Sequence, residues 1–172
     1  MSALPVPDLM RETIYELHPR MFTDRGIRLV LLDGDNTRAP YPVHEAPEAL
    51  RAWVLEMRSG GLELYILSNN KGDRPKNFAA ALGLPYRKHS RKPFTATARK
   101  IMAERGCGPT QTALVGDQVY TDVLCAKRCG AYAVLVKPIE FNHFWLRLRY
   151  WAEAPFRMGY KLKEKRRKHD TH

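Results

Sequence analysis

Two aspartates separated by one glycine, Asp33 and Asp35, are the residues whose type and spacing most directly indicate chemistry. They follow the apolar run 29–32, which predicts a short strand buried on both faces, as in a parallel sheet. Ligands of open α/β sheets bind where strands end, and Gly34 lets the turn bring both carboxylates to one ligand. Such a pair suits a divalent cation, which can in turn hold a phosphate. The same residues also make an ordinary solvated turn, so other parts of the chain must decide between the two interpretations.

Polar groups also follow the next two predicted strands, over residues 62–67 and 112–115. They are Ser68 and Asn69 after the first of these strands, Asp117 after the second, Asp122 five residues further on, and Lys92 in the basic loop between the strands. Because parallel strands place their C-terminal ends at one sheet edge, we expect these groups to converge with Asp33. Three acids, a hydroxyl and a lysine at one edge are suited to phosphoryl transfer assisted by a metal ion.

The elements that must position these groups alternate between short apolar strands and helices. This pattern predicts a doubly wound, three-layer α/β/α sandwich with a mainly parallel sheet. A fourth strand is predicted over residues 132–136, and helices are predicted over residues 9–17, 50–57, 74–82, 94–105 and 121–129. One helix and its loops fill the interval between the first two strand ends. Little or no room is left for a cap domain, so we expect a site open to large substrates.

Composition narrows the class of partner. The chain has 172 residues, enough for one domain with a substantial core, and its 29 Lys and Arg outnumber its 18 Asp and Glu. A basic balance favours an anionic partner, which includes a phosphorylated substrate, an anionic lipid or a nucleic acid.

The three cysteines form no CxxC motif, so neither a disulfide framework nor a zinc finger is indicated. No secretory signal or bilayer-spanning apolar run is evident, and we expect a cytoplasmic protein, with peripheral attachment to a membrane left open.

The C-terminal part of the chain differs in character from the rest. Residues 1–140 are predicted to be the catalytic domain with its N-terminal lead-in, and residues 141–172 an appended aromatic and basic helix followed by a basic tail. The segment 141–151 mixes aromatic residues with arginine, and residues 161–172 are strongly basic. Two interpretations stay open: the segment packs on the sheet, which is favoured because four strands need covering, or it lies on an anionic membrane surface.

Four stretches of the chain, in order, resemble the four motifs of the haloacid dehalogenase (HAD) phosphohydrolases. They are LLDGDNT, ILSNN, RKP and GDQVYTD, within a region from about Gly26 to Pro138. The short spacing, the Ser-Asn-Asn and the Gly-Asp-Gln-x-x-Thr-Asp are similar to the YqeG-like branch, which includes phosphatidylglycerophosphate phosphatases. Any single motif is weak evidence, whereas four in order at predicted strand ends are strong evidence.

The resemblance implies a role for each residue. Asp33 would be the nucleophile that forms an aspartyl-phosphate, and Asp35 the acid that protonates the leaving oxygen and then activates water. Phosphoryl oxygens would be bound by Gly34, Thr37, Ser68, Asn69 and Lys92. Mg²⁺ would be held by Asp33, Asp35 and Asp117, with Asp122 orienting Lys92 or a metal-bound water. Oxygen ligands favour Mg²⁺ over Zn²⁺.

Two positions depart from the family pattern. Gly34 and Arg38 stand where the family usually has apolar residues. Neither departure removes a reacting group, so they bear on the substrate more than on the reaction. Arg38 is as compatible with phosphate binding as with a solvated side chain.

Three functions are compatible with these observations. The first is a Mg²⁺-dependent phosphatase acting on a lipid phosphate, with phosphatidylglycerophosphate as the best-defined substrate. The second is the same chemistry on a soluble phosphate ester or a nucleic-acid end. The third is a non-enzymatic, basic nucleic-acid-binding protein on a HAD scaffold, which is disfavoured because no known RNA-binding motif is present.

Overall fold

The computed structural model describes residues 5–34, 46–137, 154–156 and 158–161. The strands in this part of the chain are β1 (Leu9–Arg11), β2 (Leu29–Asp33), β3 (Glu63–Leu67), β4 (Tyr86–Arg87), β5 (Thr112–Gly116) and β6 (Tyr132–Val136). The helices are α1 (Arg20–Thr23), α2 (Glu48–Ser59), α3 (Arg74–Leu82), α4 (Ala96–Glu104) and α5 (Leu124–Cys129). A π-helical turn over Val119–Val123 leads directly into α5. The six strands form one parallel sheet in the order β1-β6-β5-β2-β3-β4.

The central strand β2 is buried along its whole length and divides the core into two halves. Val30 and Leu32 belong to the apolar cluster beneath α2 and α3. Leu29 and Leu31 belong to the cluster beneath α4 and α5 on the other face. A strand covered by helices on both faces needs apolar residues at every position, not only at alternate ones. The doubly wound three-layer architecture predicted from the sequence is therefore confirmed.

The prediction of a helix over residues 9–17 is wrong. Residues 9–11 form the edge strand β1, which pairs in parallel with β6, and only Ile14–Glu16 make a 3₁₀ turn. Asp8 stabilises this pairing through two hydrogen bonds to the backbone of β6. Its backbone N–H donates to Ala133 O (2.8 Å), and its carboxylate accepts from Ala133 N (2.9 Å). The backbone groups of this segment are thus satisfied by the sheet, and tertiary pairing overrides the local helical pattern.

The C-terminal predictions are only partly covered by the structure. The boundary at residue 140 and the segment 141–151 lie outside the described residues, as does the basic tail from residue 162 onward. Residues 154–156 and 158–161 are helical, and the Phe156 ring packs edge-on against Tyr120 with centroids 5.5 Å apart. In the part of the chain that the structure describes, no helix combines the length and apolar character needed to cross a bilayer.

Candidate active site

Three buried carboxylates meet at the C-terminal edge of the sheet. Asp33 is the last residue of β2, Asp117 follows β5, and Asp122 lies in the π-helical turn. One carboxylate oxygen of each lies within 4.8 Å of one from each of the other two. Residues that are 84 and 89 positions from Asp33 in the sequence are therefore brought to it by parallel strand pairing, as the sequence predicts.

Lys92 reaches this carboxylate cluster from the loop before α4. Its Nζ lies 2.5 Å from Asp33 Oδ1 and 2.7 Å from Asp122 Oδ1, and it also donates to Leu67 O at 3.2 Å. The Lys92 and Asp33 side chains are each only 2% exposed. A buried lysine with two carboxylate partners is held in one position and keeps the carboxylates close together.

The charges of the cluster shift the pKa values of its members. Burial disfavours the charged form of Lys92, but the charges of Asp122 and Asp33 outweigh burial, and the pKa of Lys92 is raised above its ordinary value. Burial also raises the pKa of Asp122, and the Lys92 charge offsets only part of this effect. Because the cluster contains three carboxylates and one ammonium group, which contacts two of them, it has an excess of negative charge.

This excess of negative charge bears on whether the site fits a metal ion. With all three carboxylates ionised and Lys92 protonated, the cluster has a net charge of −2, which a divalent cation would balance. The available donors are carboxylate oxygens, which hard cations prefer. Asp33 and Asp117 are therefore chemically suitable ligands for a divalent metal. The two Asp122 oxygens already contact Lys92 and Gln118 N, which agrees with a supporting role for Asp122.

A glycine makes room for Asp122 in the site. A Cβ on Gly116 would lie 2.3 Å from Asp122 Cγ and 2.6 Å from Asp122 Cβ, far inside van der Waals contact. The close approach lets the π-helical turn fold back over the end of β5, where Gln118 N donates to Asp122 Oδ2 at 3.2 Å. The carboxylate can then reach Lys92.

We therefore expect Gly116→Ala to push Asp122 away from Lys92. The overpacking should reduce the free energy of unfolding by about 1–3 kcal/mol in urea titrations and lower phosphatase activity as well. Gly108→Ala is the matched control, because its Cβ would meet nothing closer than 3.8 Å and should change neither quantity. Equal stability of the two variants would contradict the tight packing at Gly116.

Ser68, Asn69 and Gly34 lie side by side where β2 and β3 end. Ser68 is fully buried, and its Oγ accepts a hydrogen bond from Asn70 N at 3.0 Å. A Cβ on Gly34 would lie 2.7 Å from Ile66 Cγ2 and 3.0 Å from Ser68 Cβ. HAD phosphatases usually have an apolar residue at this position. In this chain the close packing against Ile66 and Ser68 leaves no space for a side chain, which gives a physical reason for glycine. The assignment of these residues to phosphate binding stays a prediction.

Two predicted site residues are not covered by the structure. Asp35 and Thr37 lie outside the described residues, and so does Arg38. The described part of the site is therefore built from Asp33 and Gly34 at the end of β2 and from residues that lie much further along the chain.

An apolar cavity lies next to the carboxylate cluster, between the sheet and the helices α2 and α3. It is partly open to solvent, and Asp33 and Lys137 are the charged residues among those that line it. Its apolar lining residues are Ile14, Leu32, Leu50, Val54, Phe78, Leu82, Val115 and Val136. The edge of the sheet thus combines a polar cluster with an adjoining apolar surface.

The comparisons with known proteins are consistent with this geometry. The family described as mitochondrial PGP phosphatase matches residues 2–139. The chain belongs to this family. The match spans the sheet and every described residue of the carboxylate cluster, and the resemblance to HAD phosphatases of the YqeG and PGP type is confirmed. The chain is accordingly a phosphatase.

Individual relatives of this phosphatase agree with the family assignment. YqeG of Bacillus subtilis, named as a probable phosphatase, is 30% identical over 134 residues, which is 78% of each chain. The mitochondrial phosphatidylglycerophosphatase GEP4 of Saccharomyces cerevisiae is 31% identical over 125 residues, covering 65% of this chain and 68% of the relative. The chloroplastic phosphatidylglycerophosphate phosphatase 1 of Chlamydomonas reinhardtii is 28% identical over 150 residues, covering 80% of this chain but 55% of the relative.

Solved structures support the fold. The cobalt-bound deoxy-D-mannose-octulosonate 8-phosphate phosphatase of Haemophilus influenzae matches with a TM-score of 0.51 at 15% identity, over 65% of this chain and 69% of that one. At this identity the likeness shows the α/β HAD architecture alone.

Proposed function

We propose that the phosphatase hydrolyses a lipid phosphate monoester, phosphatidylglycerophosphate being the substrate, through an aspartyl-phosphate on Asp33. The observation that carries the proposal is the buried ion pair between Asp33 and Lys92. Asp33 belongs to a cluster of three carboxylates at the edge of the sheet. A carboxylate held in place by a buried ammonium is preoriented for attack, and the ammonium also offsets the charge of an incoming phosphate.

The reaction has two steps. In the first, an Asp33 oxygen forms a bond to phosphorus, the bond to the ester oxygen breaks, and Asp35 gives that oxygen a proton. In the second, Asp35 takes a proton from water, the water oxygen attacks phosphorus, and the bond to Asp33 breaks to release inorganic phosphate. Throughout, Lys92 stays protonated and holds Asp33, while Ser68 donates to a phosphoryl oxygen.

Mg²⁺ is the proposed cofactor, bound by Asp33, Asp35 and Asp117. When bound, it neutralises charge on the phosphate and on the carboxylates, which otherwise repel each other. Asp122 supports this site by contacting Lys92 at 2.7 Å. The all-oxygen donor set is what favours Mg²⁺ over softer metals.

Three observations favour a lipid over a soluble ester. The relatives from algae and yeast are named for phosphatidylglycerophosphate. The apolar cavity that reaches Asp33 offers a surface for the apolar part of a substrate, and the chain carries a formal net charge of +11, which attracts an anionic interface. Peripheral contact with an anionic membrane, on the cytoplasmic side, belongs to the same proposal. Membership in a phosphatase family disfavours the non-enzymatic nucleic-acid-binding alternative.

The test compares phosphatidylglycerophosphate in mixed micelles with glycerol 3-phosphate and other soluble esters, after treatment with a chelator and with Mg²⁺ restored. We expect kcat/KM to be at least ten times higher on the lipid and activity to require Mg²⁺. Efficient turnover of a soluble ester without turnover of the lipid would reject the lipid substrate. Full activity in the chelator would reject the metal.

A variant pair tests the role of the cavity in the same assay. Phe78→Asp places a charge on the apolar lining and should raise KM for the lipid, with little change for the soluble esters. Leu55→Asp is the matched control, because Leu55 is 62% exposed on α2 and does not line the cavity. Equal effects of the two variants on KM for the lipid would argue against the cavity as part of the substrate site.

A further inference from the structure

The side chain of Asn69 is bound to the turn that carries Lys92. Its Oδ1 accepts hydrogen bonds from Lys92 N (2.7 Å) and from Ser90 Oγ (2.6 Å), and its Nδ2 donates to Lys92 O (3.1 Å). The amide therefore contacts both backbone groups of Lys92 and the side chain two residues before it. Asn69 follows β3 and Lys92 precedes α4, so these contacts connect two separate elements of the site.

The turn needs such an anchor, because its backbone conformation is unfavourable. His89 and Arg91 have φ values of +57° and +56°, in the left-handed region that side chains with a Cβ rarely occupy. Residues held there are strained and persist only where the surrounding contacts impose the conformation. Here Ser90 N donates to Ser68 O (2.9 Å), and the Asn69 amide contacts the residues on either side of Arg91.

From these contacts we infer that Asn69 is a positioning residue that fixes the backbone of Lys92 and acts on the reaction through Lys92. The inference rests on the proposed aspartyl-phosphate chemistry, in which Lys92 must hold Asp33. Lysine has a flexible stem of four carbons, so the position of its ammonium group depends on where its backbone is fixed. Displacement of a catalytic group by about 1 Å can cost a hundredfold in rate. Direct phosphate binding by the Asn69 side chain is the competing role.

A double-mutant cycle distinguishes the two roles. We expect Asn69→Ala to lower kcat by 10- to 100-fold, and to have little further effect when Lys92 is already Met, because the residue it positions is gone. If Lys92→Met does not stay folded, amide hydrogen exchange at Lys92 in Asn69→Ala decides the inference in its place. Additive losses in the double variant, or a rise in KM without a fall in kcat, would overturn the inference.

Asn70→Ala is the matched control. It removes the same atoms one residue further along the chain, but the Asn70 side chain accepts a hydrogen bond from Gly72 N (2.8 Å) and does not bind the Lys92 turn. We expect its kcat to equal that of the unmodified protein. A fall in kcat as large as that of Asn69→Ala would overturn the inference, because it would show that any substitution at the end of β3 disturbs the site.

Amide hydrogen exchange, followed by NMR, tests the anchor without any assay of activity. The Lys92 N–H is bonded to Asn69 Oδ1, so its exchange should become at least tenfold faster in Asn69→Ala and stay unchanged in Asn70→Ala. Unchanged exchange in Asn69→Ala would overturn the inference. If the unmodified protein released no phosphate from any substrate, the proposed function would fail, whereas the exchange result would still decide whether Asn69 holds Lys92.

Discussion

Replacing Asp33 by asparagine is expected to abolish phosphate release from a generic aryl phosphate, lowering kcat on the order of ten-thousand-fold. The amide has nearly the same shape as the carboxylate but is a far weaker nucleophile, so the first step of the proposed reaction cannot proceed. Asp33 also accepts the 2.5 Å hydrogen bond from Lys92, and the substitution removes the charge from that contact. The measurement is initial-rate release of inorganic phosphate at saturating substrate.

Asp73→Asn is the matched control for this prediction. Asp73 has a side chain that is 78% exposed and pairs with Lys88 on the surface at 3.3 Å. The same chemical change there should leave kcat unaltered, since exposed ion pairs contribute little. Retention of a tenth or more of the activity by Asp33→Asn would show that Asp33 is not the nucleophile.

Replacing Lys92 by methionine is expected to produce the largest loss of stability. The substitution leaves Asp33 and Asp122 buried beside each other without the ammonium that they share. Removing one partner of a buried ion pair typically costs about 3–5 kcal/mol, a large part of the stability of an ordinary domain. Urea unfolding at pH 8 in the presence of a chelator measures this cost.

The stability of Lys92→Met should also depend on pH, with a definite sign. Burial already raises the pKa of Asp122, and losing the Lys92 charge removes the largest contribution that lowers it. A folded state with a raised carboxyl pKa binds more protons than the unfolded state, so stability falls as pH rises through that pKa. We expect the metal-free variant to be more stable at pH 5 than at pH 8. The unmodified protein should show a smaller difference, because Lys92 stays protonated across this range.

Lys88→Met is the control for both measurements. Lys88 lies in the same basic stretch of the chain, but its side chain is 37% exposed and its partner Asp73 is on the surface. The substitution should change the free energy of unfolding by less than about 1 kcal/mol, with no added dependence on pH. A similar loss for Lys88→Met and Lys92→Met would argue against a special role for the buried cluster.

The meeting of the carboxylates at one sheet edge could be predicted from the sequence because strand ends are encoded locally. Asp33 and Asp117 each follow a short apolar run bounded by glycine or turn residues, and such a run is typical of a strand inside a parallel sheet. Parallel pairing then places every strand end at the same edge. The fold and the convergence of Asp33 with Asp117 follow from this pattern, whereas the family was indicated by the resemblance of four motifs.

Other features of the fold and of the site could not be predicted, because they depend on contacts between residues that are distant in the sequence. The helical pattern of residues 9–17 gave no sign that β6 would take up the backbone of residues 9–11 as an edge strand. The sequence does not show that the Asn69 side chain binds Ser90 and Lys92. It also does not show that Asp122 packs against Gly116, where a side chain would leave no space for it.

The sequence by itself determined which residues are candidates for the chemistry, because residue type, apolar runs and strand ends are local properties. Only the tertiary structure decided how the carboxylates share Lys92 and what holds Lys92 in place. Those contacts join elements separated by more than 20 residues, and their geometry is set by packing and by the pairing of buried polar groups, which local sequence does not specify.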